Sequence, residues 1–269
     1  MMSDADRDAN WERIPFYKAH PYMKPFIGKD YESPRHKRLL LIGSNHYMPK
    51  SSTVHHDAAG WYTSPVLTEE EKAWCDTRAT RVNDQPFQNR TRDGINAVVG
   101  SEDAWNEVAF VNYFLRPTDK PPATLDNLWW HDRPGRKLDC EKAIQNFREV
   151  IELLVEMNRK PDLFVFLGKR ICVEAERWYQ KIFREVFWDW TARLGVKYCF
   201  VYDPSRGQWW NHAMPDKYWD ANVSGKFRCS GRKAKDFFVA YLKSHWMLDG
   251  GAHEVRLAGF ERLVDEVSK

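Results

Sequence analysis

Four short apolar runs stand out from an otherwise mixed chain: Arg38–Gly43, Val108–Asn112, Leu163–Gly168 and Tyr198–Asp203. Each is continuously apolar over the length of a strand. A strand with one wet face alternates, whereas a strand covered on both faces does not, so these runs predict buried strands. Between them the apolar period lengthens. Leu138–Arg159 sets Ile144, Phe147, Ile151 and Leu154 at helical spacing opposite Glu and Lys, and Lys169–Trp190 carries a stripe of Ile171, Ala175, Trp178, Ile182 and Val186. Two more helices are predicted over Lys233–Trp246 and His253–Val267. Strands that alternate with helices imply right-handed crossovers and a parallel sheet. The expected fold is α/β, a three-layer α/β/α arrangement around a central four-stranded parallel sheet. Residues 1–37 lack any period and are expected to form an N-terminal arm with one short helix. No repeat or linker divides the rest, so 38–269 is expected to be a single domain. The interval Tyr47–Asn106 is too long and polar for a simple crossover, and is expected to hold one or two helices plus functional loops.

Composition narrows the class only modestly. No apolar run approaches the length needed to span a bilayer and the start is acidic and polar, so a cytoplasmic protein with no membrane partner is expected. Five scattered cysteines, none in a Cys-x-x-Cys pair, support neither a disulfide framework nor a zinc or iron–sulfur site. A net charge of +3 permits a local nucleic-acid patch without demanding one. The 13 Trp are many for a chain of 269 residues, and tryptophan is costly to expose. They fit either a Trp-rich core or a binding surface.

In doubly wound sheets ligands bind beyond the carboxyl ends of the strands, so the chemistry should lie just past each run. The first run ends in Gly43-Ser44-Asn45-His46-Tyr47, the second in Asn112-Tyr113, the third in Gly168-Lys169-Arg170 and the fourth in Asp203-Pro204-Ser205-Arg206. Ordinary turn chemistry explains any one of these ends; four polar or glycine-bearing ends together point to a shared rim.

These endings resemble the uracil-DNA glycosylase superfamily. There the first strand ends in Gly-x-Asp-Pro-Tyr or Gly-x-Asn-Pro, whose acid or amide positions the attacking water. The second ends in an Asn that reads the flipped base, and the last in His-Pro-Ser. Gly43-Ser44-Asn45-His46-Tyr47 matches the first pattern with His46 in place of Pro, Asn112 matches the second, and Asp203-Pro204-Ser205 matches the third with Asp in place of His. Gly225–Ser230, followed by a basic helix, is also similar, and the resemblance runs from about Arg38 to Trp246. It implies a DNA glycosylase with no metal or organic cofactor. Asn45 and Asp203 would be the catalytic pair, and Gly43, Ser44, His46, Tyr47, Asn112 and Tyr113 the base pocket.

Base excision requires a held water, stabilisation of the departing base, and access to a base that is normally stacked. Asn45 would hold water by its amide oxygen, which is a poor base, so catalysis would rest on positioning and electrostatics. Asn112 offers both a donor and an acceptor to a pyrimidine edge. An ionised Asp203 would repel a departing uracil. Either burial keeps it protonated as a general acid toward a cytosine-like base, or it accepts hydrogen bonds from an exocyclic amine or hydroxyl. Both readings favour a modified pyrimidine, such as a modified cytosine in phage DNA, and leave repair and antiviral defence both open as roles. For DNA contact, Trp209 and Trp210 suit a wedge. Ser205, Arg206, Lys226, Arg228, Arg232 and Lys233 suit backbone contacts.

Two rival classes remain: a non-catalytic nucleic-acid-binding protein on the same fold, and a glycosidase of free nucleosides. Other signals carry less. His46, His55, His56 and Asp57 do not match a standard metal-ligand spacing, so no metal is expected. No Gly-x-Ser-x-Gly elbow accompanies Ser44, and Gly225-Lys226 lacks the upstream glycine of a phosphate loop. Arg78, Arg81, Arg90 and Arg92 read first as a solvated surface, and second as DNA contacts.

Overall fold

The computed structural model describes residues 10–63, 65–80, 86–101, 103–119, 128–129, 132–205 and 233–248. The elements run α1 (Pro15–Ala19), β1 (Phe26–Ile27), β2 (Leu39–Gly43), β3 (Tyr47–Met48), α2 (Ala58–Thr63), α3 (Glu69–Trp74), α4 (Thr77–Thr80) and α5 (Pro86–Val99). They continue with β4 (Ala109–Asn112), β5 (Thr118–Asp119), α6 (Arg133–Glu156), β6 (Leu163–Leu167), α7 (Lys169–Phe183), α8 (Phe187–Arg193), β7 (Lys197–Val201) and α9 (Ala234–His245).

The central sheet has five strands in the order β1-β4-β2-β6-β7. The four predicted strands pair in parallel, and their inner members β2, β4 and β6 are buried at every position, as continuous apolar runs require. The fifth strand corrects the four-stranded expectation. Phe26–Ile27 pairs antiparallel with β4 and covers its outer edge, but two residues are too short to register as an apolar run. The N-terminal arm is accordingly part of the packing. Trp11, Tyr17 and Tyr31 are fully buried in the shared core, and Tyr31 donates its hydroxyl proton to the Arg159 carbonyl.

The crossover from β2 to β4 carries α5, and the crossover from β4 to β6 runs the opposite way across the sheet and carries α6. Right-handed connections then place α5 and α6 on opposite faces. The contacts agree: α5 packs on α9, whereas α6 packs on α7, and α7 on α8. The fold is mixed α/β, with helices packed around a mostly parallel five-stranded sheet.

Three helical expectations change. The segment Lys169–Trp190 is two helices, because Arg184 adopts the left-handed conformation (φ 58°) and ends α7; Val186 is exposed at the N-cap of α8 rather than part of a stripe. The helix expected over Leu138–Arg159 begins earlier, at Arg133, where the Asp132 side chain accepts from the Gly135 amide. Between Tyr47 and Asn106 the described residues form four α-helices, not one or two. The segment His253–Val267 lies outside the described residues. No described helix is long and apolar enough to cross a membrane. Most of the described tryptophans, among them Trp61, Trp105, Trp190 and Trp246, are core residues.

Candidate functional site

Strand register settles whether the four ends meet. Gly43 faces Asn112, and Ile42 faces Phe166, which in turn faces Phe200. One residue further on, Asn112, Gly43, Leu167 and Val201 therefore form one row across the sheet. At strand spacings of about 4.8 Å the row is roughly 14 Å long. The chain reverses its direction of travel between β2 and β6, so the switch-point crevice opens where Gly43 and Leu167 end their strands. Gly168, at φ 155°, a conformation that L side chains rarely adopt, turns the chain from β6 into α7 beside that crevice.

Gly43 is required by its neighbour. A Cβ there would collide with the Asn112 amide oxygen and lie 2.7 Å from the Phe110 ring. Past this pair the two chain segments run on together. The Tyr113 amide donates to the Gly43 carbonyl (3.0 Å), the Phe114 amide to Ser44 (2.8 Å), and the Thr118 amide to His46 (3.1 Å). Beyond these bonds a second, two-stranded ladder pairs Tyr47 with Thr118 and Met48 with Asp119.

Asn45 sits half-buried in this seam with its side chain held at three points. Its Nδ2 donates to the His46 carbonyl at 2.6 Å and to Thr118 Oγ1 at 3.1 Å, while Oδ1 accepts from Ser44 Oγ at 2.9 Å. A carbonyl oxygen can only accept, so the atom facing His46 must be the amide nitrogen, which fixes the orientation of the amide. Both N–H donors are spent inside the protein, and Oδ1 keeps one lone pair for a ligand. Asn112 is buried at the neighbouring strand end, and its amide has no hydrogen-bond partner among the described residues.

His46 and Tyr113, both expected in the base pocket, are buried side chains. His46 is buried at 3% exposure against Thr77 Oγ1 (3.2 Å), and burial pushes its imidazole down to about 3, so it is neutral. It supports the loop from below. Tyr113 is buried with its ring against Phe114 and Phe147, and burial raises its phenol well above the ordinary range. Tyr47 is half-buried in the β3–β5 ladder.

Asp203 lies two residues beyond the end of β7, not within the strand. It is half-buried, and its Oδ1 accepts from the Ser205 amide (2.8 Å) and the Ser205 hydroxyl (2.7 Å). The two bonds close a local turn on Asp203 just past β7. Arg90, from α5, donates to the Pro204 carbonyl at 2.7 Å and so ties the turn to that helix. It is a positioning residue rather than part of a solvated loop. Lys233 is exposed at the N-cap of α9. Arg206, Trp209, Trp210, Lys226, Arg228 and Arg232 lie outside the described residues.

A buried ion cluster braces the rim. Arg116, fully buried, makes a fork-to-fork contact with Asp139, Nη2 to Oδ2 at 2.7 Å and Nε to Oδ1 at 3.0 Å. Its Nη1 donates to Asp132 Oδ2 and to the His55 and His56 carbonyls. Asp139 also accepts from Tyr62 and Trp129. Neither Arg116 nor Thr118 carries a local signature; their spacing from Asn112 is the only signal that could have found them. The Cys75, Cys140 and Cys172 thiols are buried, and burial raises all three, Cys140 to about 12, so they are poor nucleophiles.

A depression lined by Glu32, His36, Arg38 and Asp162 lies at the opposite edge of the sheet, before β2 and β6, where the Asp162 carboxylate is already engaged by the Arg38 amide. Topology favours the carboxyl-end rim over that depression. No family model, curated protein or solved structure matches the chain.

Proposed function

We propose that the chain is a DNA glycosylase that hydrolyses the N-glycosidic bond of a flipped-out pyrimidine and leaves an abasic site, with modified cytosines foremost among its candidate bases. The observation that carries this reading is the Asn45 amide, fixed by three hydrogen bonds at a strand end with one oxygen lone pair to spare. A preorganised acceptor of this kind suits a water that must be held rather than deprotonated.

In this reading Asn112, buried and with no hydrogen-bond partner for its amide among the described residues, reads the base edge by one donor and one acceptor. Asp203, half-buried in the turn just past β7, accepts from an exocyclic amine or hydroxyl of the base. The row from Asn112 to Val201 is long enough to accept a nucleobase and its substituent. DNA, including phage DNA with modified bases, is the partner, and the sequence after Ser205 supplies the wedge and phosphate contacts.

Release of free base is the direct test. Duplexes and single strands carrying uracil, 5-hydroxymethylcytosine or glucosylated cytosine are incubated with the protein, and the supernatant is read by mass spectrometry. One free base, released by the native protein and not by Asn45→Ala, supports the reading. DNA binding without any base release returns the chain to the class of non-catalytic nucleic-acid-binding proteins.

A further inference from the structure

We propose that His55, His56 and Asp119 form a binding site for a divalent transition ion of the zinc class. The three residues lie beside the rim and outside the pocket assigned to Asn45 and Asn112. His55 and His56 occupy a 3-10 turn after β3, and Asp119 ends β5, 64 residues further along the chain from His55. One ligand atom from each lies within 4.8 Å of the others.

Both histidine-to-carboxylate separations suit a shared ion. His55 Nε2 is 3.0 Å, and His56 Nε2 3.5 Å, from the same Asp119 oxygen. A tetrahedral zinc with ligands at about 2.0–2.1 Å holds its donor atoms roughly 3.3 Å apart, so the two separations straddle the value needed. Two imidazoles converging on one carboxylate oxygen is also a donor set that zinc, nickel and copper favour over magnesium or calcium. Two histidines and one carboxylate make a three-ligand set, the kind that catalytic zinc sites complete with water or substrate.

The surroundings hold this set in place. His55 is fully buried, and Arg116 grips the carbonyls of both histidines from behind. The positive charge of Arg116 is met by Asp139 and Asp132, so it does not oppose a bound cation as a lone guanidinium would. His56 and Asp119 remain partly exposed, with 49% and 42% of their side-chain surfaces open, which leaves a path for the ion.

Occupancy would have a consequence for the rim. Asp119 directly follows Thr118, whose hydroxyl holds the Asn45 amide. An ion that clips the His55–His56 turn to Asp119 stiffens the β3–β5 ladder beneath Asn45. The site itself does not depend on the glycosylase reading, because its occupancy is read without DNA.

The test is a cobalt titration of chelator-treated protein, followed in the visible range and against a chromophoric competitor. The expected result is one Co2+ per chain, the band pattern of a nitrogen- and oxygen-ligated low-coordinate ion, and displacement by Zn2+. His56→Ala and Asp119→Asn each weaken binding at least about tenfold, the scale that even outer partners of a metal ligand command. Both residues are partly exposed, so both variants are expected to fold, and circular dichroism checks that they do. Binding well below one ion per chain, equal affinity in the two variants and the native chain, or thiolate-to-cobalt charge-transfer bands from a cysteine would each overturn the site.

Discussion

Gly43 and Asn112 face each other across the β2–β4 ladder, and the Asn112 amide oxygen occupies the space that a side chain on Gly43 would need. The two strand-end motifs are therefore one unit: the glycine of the first is what allows the amide of the second to lie over the sheet edge. Gly43→Ala tests this coupling. Overpacking costs about 1–3 kcal/mol, which exceeds the roughly 0.4–1 kcal/mol gained by stiffening the unfolded chain. A net loss in urea titrations, together with loss of base release, is expected. A variant as stable and active as the native chain would show that Asn112 moves aside freely.

Thr118→Val removes one of the two acceptors that fix the Asn45 nitrogen while filling the same space. Loss of one neutral hydrogen bond costs about 0.5–1.5 kcal/mol of stability. Turnover is expected to fall about tenfold, by loss of positioning, with the apparent affinity for DNA unchanged. A change in KM alone would assign Thr118 to binding rather than to the orientation of Asn45.

The Arg116–Asp139 pair is wholly buried, so removing one partner leaves an uncompensated charge. Arg116→Met is expected to cost about 3–5 kcal/mol. Adding Asp139→Asn to that variant should return part of the loss, because the stranded charge disappears with it. Strictly additive losses in the double-mutant cycle would mean that the two side chains act independently.

His46 sets a pH dependence with a definite sign. Its folded-state value, about 3, lies below the ordinary 6.5 of the unfolded chain. Between those values the unfolded state binds the extra proton, so stability falls as the pH drops from 6.5 toward 3 and is unaffected by this group above 6.5. His55 and His20, both lowered by burial, act in the same direction. His46→Gln should flatten the stability profile in that window by up to about 1.4 kcal/mol per pH unit. An unchanged slope in urea titrations at pH 5 and pH 7 would show that His46 is protonated in the fold.

The parts of the fold that were legible share one property, local continuity. Leu39–Gly43, Ala109–Asn112 and Leu163–Leu167 announce themselves because a strand buried on both faces is apolar at every position. Phe26–Ile27 and the Tyr47–Met48 ladder are two residues long, below any periodic signal. The break at Arg184 escaped because the left-handed turn there uses neither glycine nor asparagine. At the rim, Asn45 and Asn112 were readable from their positions at the carboxyl ends of apolar runs, whereas Thr118, Arg90 and Arg116 act through partners remote in sequence. His55 and His56 are adjacent, but their carboxylate partner is Asp119 rather than the neighbouring Asp57, which instead accepts from the Ala59 amide.

The most direct measurement is abasic-site formation on a DNA panel of normal, uracil-containing, hydroxymethylated and glucosylated cytosine substrates, with Asn45→Ala beside the native protein. The account predicts alkali-labile breaks on a modified-pyrimidine DNA, made by the native chain and absent with Asn45→Ala, while both proteins bind that DNA alike. Breaks that persist in Asn45→Ala, or intact strands across the panel with binding retained, would contradict it.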